Sequence, residues 1–302
     1  MDRLRNRYAC ATITEEFQKM LSRRSFLRWL SGLPLLSLWP ISFGHGNVDP
    51  PASSGKEGVP PISEFYKGEE LTYEIGVWVL KRVALGRLSF QETQTKGHYM
   101  LLLQAETLGV MGWVSRYRVD TYRAIAEEID GGRRLRSLSF EETVKIGSRI
   151  RRRIHTFDHE RRKWTVDQLR RDGTLGRKEM KIPEGMVYDD FITAAYNFRY
   201  GVYGNIERGR KYTIPTFPRK RAYSYEVRVA SQEEEEKQRR SESSTEGKDY
   251  FVKLSIDPDI THSKEGLVEG WLTKDLYPLE GAVKDVILFG DIKGKLVKRT
   301  KS

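Results

Sequence analysis

The chain has 302 residues, 53 Lys plus Arg against 42 Asp plus Glu for a formal net charge of +11, one Cys, and a mean hydropathy of −0.60. At 38% hydrophobic and 11% aromatic it holds too much apolar material for a disordered or collagen-like chain, and its composition excludes a polytopic membrane protein. A single Cys excludes an intrachain disulfide scaffold and thiolate-ligated zinc or iron–sulfur sites.

Ser22, Arg23, Arg24, Ser25, Phe26, Leu27 and Arg28 stand directly before residues 29–43, an uncharged stretch rich in Leu and Trp. Two arginines, then Phe26 and Leu27, then a hydrophobic run is the order of a twin-arginine export signal. The run is interrupted by Pro34 and Pro40 and is shorter than the roughly 20 apolar residues of a spanning helix, which favours a cleaved signal over an uncleaved N-terminal membrane anchor. Small residues at Ser42, Gly44 and Gly46 offer cleavage positions. The alternative is an arginine pair in an ordinary basic stretch before a buried helix. Cleavage near residue 46 removes seven basic and three acidic residues, which brings the charge from +11 to +7, and it removes Cys10. The expected product is an unlipidated, thiol-free periplasmic protein, with the twin-arginine translocase as its partner during export.

Residues 47–64, with Pro50, Pro51, Pro60 and Pro61 among Gly and Ser, predict a linker. From residue 65 to 302 the pattern predicts a single β-rich domain. Leu71, Tyr73, Ile75 and Val77 alternate with Thr72, Glu74 and Gly76, and the same period of two recurs over 83–93, 98–107, 117–129, 135–144, 149–158 and 163–169. It returns at 212–217, 222–230, 249–256, 267–273 and 283–289. Tight connections such as Asp130, Gly131 and Gly132 favour a long antiparallel meander, curled into a barrel or half-barrel because so many strands are hard to keep flat. Two segments break the pattern. Asp189 and Asp190 precede apolar residues at helical spacing, which predicts one short amphipathic helix over 189–200. Residues 231–248 contain no apolar side chain and predict a long, solvated acidic loop.

Residues 65–73, Phe-Tyr-Lys-Gly-Glu-Glu-Leu-Thr-Tyr, resemble the start of a bacterial envelope family, domain of unknown function 3108. Further fragments fit in order: 105–109; 117–120; Asp190 with Thr193, Ala194, Ala195, Tyr196 and Arg199; 271–275 with Tyr277 and Pro278; and Phe289 with Gly290. The resemblance covers 65 to about 297 and implies an exported β-rich domain without an assigned activity. It supplies no catalytic residues. The expected architecture also resembles the open half-barrels that ferry lipids or lipoproteins across the periplasm, a likeness of fold alone.

Motifs that carry chemistry are few. The chain has no GxSxG elbow, P-loop, dinucleotide fingerprint or HExxH. His155 and His159, four apart on a strand, share a face about 13 Å from end to end, too far for one metal without a bend. No cofactor and no metal are expected. Asp189 and Asp190 are either an acid/base pair or a helix cap, and the cap explains them without chemistry.

Basic residues crowd 149–153, 161–163 and 170–171, with more at 208–211 and 219–221. Such density points to nucleic acid, but export places the chain before lipid A phosphates, anionic head groups and acidic polysaccharide instead. Arg151, Arg153, Arg161 and Arg162 are therefore candidates for an anion-recognising rim, with peripheral membrane contact as one use. Trp78, Trp113, Tyr117, Tyr122, Trp164, Tyr196, Tyr200 and Trp271 are candidates for lining a cavity and Arg199 for binding its ligand, although core packing is the commoner use of aromatic residues. The leading expectation is a non-enzymatic periplasmic binding or assembly factor for an amphiphilic anionic envelope component, a lipid or a polysaccharide. Two alternatives stand beside it. One is a hydrolase or lyase on an envelope polymer using Asp189, Asp190, His155 or Asp275; the other is a scaffold that binds protein through a strand edge.

Overall fold

The computed structural model describes residues 58–169, 173–217, 224–242, 244–287 and 289–301. The Arg23–Arg24 pair with Phe26 and Leu27, Cys10, most of the linker, and the basic residues at 170–171 and 219–221 lie outside them.

Alternation becomes strand where one face can be buried. In β1 (Glu70–Val77) the inward set is Leu71, Tyr73, Ile75 and Val77, with Leu71 fully buried. A first meander continues through β2 (Leu80–Glu92), β3 (His98–Thr107), β4 (Val119–Ile129), β5 (Arg134–Ile146), β6 (Arg149–Asp158), β7 (Lys163–Leu169) and β8 (Leu175–Lys181). A second runs through β9 (Lys211–Pro215), β10 (Ser224–Val229), β11 (Tyr250–Ser255), β12 (Leu267–Leu272), β13 (Pro278–Val286) and β14 (Gly290–Thr300). All neighbours are antiparallel. The two meanders join where β1 pairs with β14, Glu70 opposite Thr300 and Val77 opposite Ile292. The 14-stranded sheet is not closed: β8 and β9 are its edges. A proximal end, where β1 begins, and a distal end, where β1 finishes, can be distinguished.

The segment between the two edge strands carries the predicted helix, α3 (Phe191–Tyr200), numbered after two shorter ones, α1 (Ile62–Tyr66) and α2 (Gly109–Val114). Asp190 caps α3, accepting bonds from the backbone N–H of Ile192 and Thr193, and Gly201 ends it in the left-handed conformation with φ of 89°. One flank of α3 packs with Phe90, Leu101, Phe140 and Trp164 of the first meander; the other packs through Ala194 and Phe198 on Ile214, Tyr225 and Val227 of the second. A sheet that touches both flanks of one helix is curled around it, which is the half-barrel expected from the alternation. α1 fills the proximal end. Its Ile62 and Tyr66 are fully buried, so the last residues of the predicted linker belong to the core.

The acidic segment differs from expectation. Residues Gln232–Arg240 form a helix, α4, opened by a capping box in which Ser231 and Glu234 satisfy each other's backbone N–H groups. The segment buries polar rather than apolar groups. Glu235 accepts from Arg208 Nε at 2.9 Å, Glu242 accepts from Trp271 Nε1 at 2.6 Å, and the buried Lys248 pairs with both Glu242 and Glu280. Replacing 232–247 by a short turn uncovers Trp271 and strands Lys248, so the melting temperature is expected to fall by several degrees in a thermal scan. An unchanged value would return the segment to the status of a solvated loop.

Candidate functional site

Two buried clusters fill much of the inward face of the sheet, but part of it is not filled by side chains. Beside α3, strands β1 to β4 and β9 to β14 enclose a cavity of about 510 Å³ whose lining is almost wholly apolar, including Ile75, Leu103, Phe198, Val252 and Ile292. The volume lies inside the roughly 300–1,000 Å³ range of small-ligand sites. Its emptiness has an identifiable origin in the strand register. Gly270 pairs with Gly281, Gly281 with Gly294, and Gly294 with Ile75, so three adjacent strands present no side chain on one inward row. At Gly270 a Cβ would stand 2.6 Å from the Glu280 carbonyl oxygen, so close strand approach requires glycine there. At Gly294 a Cβ would meet nothing within 4 Å; that glycine leaves room rather than relieving a clash.

Arg199 borders the cavity at its proximal end. It is buried, donates to both carboxylate oxygens of buried Glu69 at 2.7 and 2.8 Å, and donates from Nε to the Leu276 carbonyl. Its guanidinium also lies over the Tyr66 and Tyr196 rings. An arginine so fully engaged backs the cavity as a neutralised wall. Asp120, on the distal side, is likewise engaged, accepting two bonds from Arg118 at 2.8 Å.

The sequence-predicted residues are dispersed. Tyr196 lies outside the cavity lining, fully buried against Tyr66 and Phe90. Trp271 borders the cavity from a strand position that shares a face with Glu280 and Phe251, and its ring is covered by Arg239 and bound to Glu242. Arg151 and Arg153 sit near the distal start of β6, Arg153 being 3.6 Å from Glu142. Arg161 and Arg162 stand at the other end of that strand, beyond Asp158, and bind Asp158 and the Ile182 carbonyl. Arg153 and Asp158 are five residue steps apart on one strand, roughly 16 Å, so the four arginines do not make one rim.

The acid/base candidates do not converge on the cavity either. Asp189 accepts from Arg134, Tyr203 and Asn197; Asp190 caps α3 and accepts from Ser137; His155 is bonded by Trp164 Nε1; Asp275 is exposed in the β12–β13 turn. None of the four lines the cavity. Burial pushes the Asp189 and Asp190 carboxyls above the ordinary range, against the bonds that favour their charge. His159 is held by the Ser137 carbonyl at 2.7 Å, and among the described residues no cluster of His, Cys, Asp or Glu could hold a metal ion. The β8 edge carries Arg177, Lys178, Glu179 and Lys181, charges that discourage strand addition.

The family described as "Protein of unknown function (DUF3108)" matches residues 72–297 of this chain. The chain belongs to the DUF3108 family. No curated protein matches it. Among solved structures it is similar to the crystal structure of a "Beta-barrel-like Protein of Domain of Unknown Function DUF1849 from Brucella abortus", at 12% identity and a TM-score of 0.40, over 78% of this chain and 97% of that one. In this DUF3108 chain the matched span contains all of the cavity lining, while Glu69 of the buried ion pair and helix α1 precede it. The three glycines were the cavity-forming residues hardest to find from sequence. The signal is present, one inward-parity glycine per strand, but it acquires meaning only with the register.

Proposed function

We propose that this DUF3108 protein is an exported, non-enzymatic carrier or assembly factor that shelters the apolar part of an amphiphilic, anionic envelope component. The observation that supports this is the apolar cavity along the glycine row. Such a lining favours a lipid chain over a polysaccharide, because hydroxyl groups would be left without partners there. The head group would remain outside among the basic residues of the distal end. Periplasmic delivery is part of the proposal and rests on Arg23, Arg24, Phe26 and Leu27.

Gly294→Trp tests the cavity directly. The new ring points into open space, so folding is expected to survive while native mass spectrometry of protein isolated from cells loses the co-purifying lipid seen with the wild type. A wild type that carries no lipid, or a variant that keeps it, overturns the carrier reading. Changing Arg23 and Arg24 to Lys is expected to leave folded precursor in the cytoplasm, as judged by fractionation; continued periplasmic delivery removes the twin-arginine assignment.

A further inference from the structure

Ten of the twelve exposed large apolar side chains among the described residues sit at the distal end of the sheet. Seven of the ten cluster in three consecutive connections: β1–β2, with Trp78, Val79 and then Leu80; β3–β4, with α2 bearing Val110 and Trp113 and then Tyr117; and β5–β6, followed by Ile150. Val79 is 88% exposed, Val110 78% and Trp113 72%. The connections touch. The N–H of Leu108 donates to the Val83 carbonyl and that of Gly147 to the Arg116 carbonyl, so the side chains belong to one continuous surface. Trp78, Arg116 and Tyr117 are held at φ between 51° and 58°, a conformation uncommon for such residues.

Charge in the three connecting segments has one sign. Residues 77–82, 108–118 and 145–153 contain nine Lys or Arg and no Asp or Glu. Four of the nine are drawn to acidic neighbours on adjoining strands: Arg82 to Glu74, Arg118 to Asp120, Arg152 to Glu141 and Arg153 to Glu142. Lys81, Arg116, Lys145, Arg149 and Arg151 enter no ion pair among the described residues.

We infer that the distal end docks on the surface of an anionic lipid bilayer, with Val79, Val110 and Trp113 entering the head-group layer and the five uncommitted cations meeting lipid phosphates. Protruding aliphatic tips flanked by Trp and Tyr match the polarity gradient of a bilayer interface, where amphipathic rings settle at head-group level. A protein partner would need acidic groups spread over three connections and a matching apolar surface; a bilayer supplies both without any fitted shape. Basic residues near such a surface each contribute roughly fivefold in partitioning. The cavity lining reaches the same end. Ile75, Ala105, Asp120, Val268 and Ile292 all lie within two residues of a distal strand end. Docking would therefore bring one end of that lining near the membrane, but the inference stands on the exposed surface and does not require the carrier reading.

The experiment uses protein isolated from cells and vesicles of phosphatidylcholine with and without phosphatidylglycerol. The wild type is expected to sediment with the anionic vesicles, less so with added salt, and bromine-labelled acyl chains are expected to quench its tryptophan emission. Val79→Asp with Trp113→Ser should weaken sedimentation at least tenfold and reduce the quenching, with an unchanged melting temperature because both side chains are exposed. Arg116, Arg149 and Arg151 changed together to Glu should weaken it by roughly a hundredfold at low salt. Gly294→Trp should bind vesicles like the wild type, which separates failure of docking from failure of the cavity. Equal sedimentation of wild type and both surface variants, or no wild-type binding to anionic vesicles, overturns the proposal. So does a dimer that dissociates on Val79→Asp, which would assign this surface to a second copy of the chain.

Discussion

Glu69→Ala is expected to lower stability by about 3–5 kcal/mol, the cost of leaving a buried arginine without its carboxylate. Glu69 and Arg199 are 2% and 5% exposed and joined by two bonds, so water cannot replace the lost partner. At 2–4 °C per kcal/mol for a domain of this size, the melting temperature should drop by roughly 10 °C. Changing both residues to Met is expected to recover most of that loss, because an apolar pair needs no partner. A double variant as unstable as the single one would show that Arg199 is held mainly by Leu276 and the tyrosine rings rather than by Glu69. The same comparison asks whether the ion pair matters to the cavity it borders: lipid retention in a stable double variant would show that the proximal wall needs only to be filled.

Asp190→Ala is expected to cost a comparable amount. Its carboxylate accepts from two backbone N–H groups at the start of α3 and from the hydroxyls of Thr193 and Ser137, all buried. Loss of the cap contributes about 1 kcal/mol and the stranded buried donors about 1–3 kcal/mol more. Asp190→Asn keeps one acceptor and should retain about half. The pH dependence gives an independent reading. Burial raises the Asp190 pKa, so the group stabilises the fold most below the ordinary Asp value near 3.9 and progressively less as pH rises through its higher folded value. Melting temperatures between pH 3 and 7 should therefore vary less for Asp190→Asn than for the wild type. An identical profile would show that Asp190 titrates normally.

The readable parts of the fold were those in which burial imposes a period. β1 and β3 place Leu71, Tyr73 and Ile75, or Tyr99, Leu101 and Leu103, on one face, and α3 announces itself by Asp190 before Phe191 and Ile192. β8 and β14 were missed because Arg177, Lys178 and Glu179 in one, and Lys293, Lys295, Lys298 and Arg299 in the other, leave almost no apolar alternation to detect. α4 was misread for a related reason. Its stability comes from Ser231–Glu234 capping and from polar groups buried against Arg208 and Trp271, and hydropathy registers neither. The cap on α3 was legible at the site, but the cavity was not. Its glycine row needs the pairing of β12, β13 and β14, and a single sequence does not show which strand lies beside which. The separation of Arg153 from Arg161 likewise follows from the unbroken run of β6, which carries the chain from one end of the sheet to the other.

The pairing of β1 with β14 places the oldest and youngest strands of the nascent domain side by side in the middle of the sheet. Each meander can assemble as it leaves the ribosome, yet the seam between them waits for the final strand, and closing so long a loop is slow. A polypeptide stopped before residue 290 would lack the seam, and its two sheets would be linked only through α3. The pairing most distant in sequence is thus the one that joins the two meanders. For a protein proposed to leave the cytoplasm already folded, the seam would act as proofreading: only a chain in which β1 has found β14 could present one continuous sheet to the translocase.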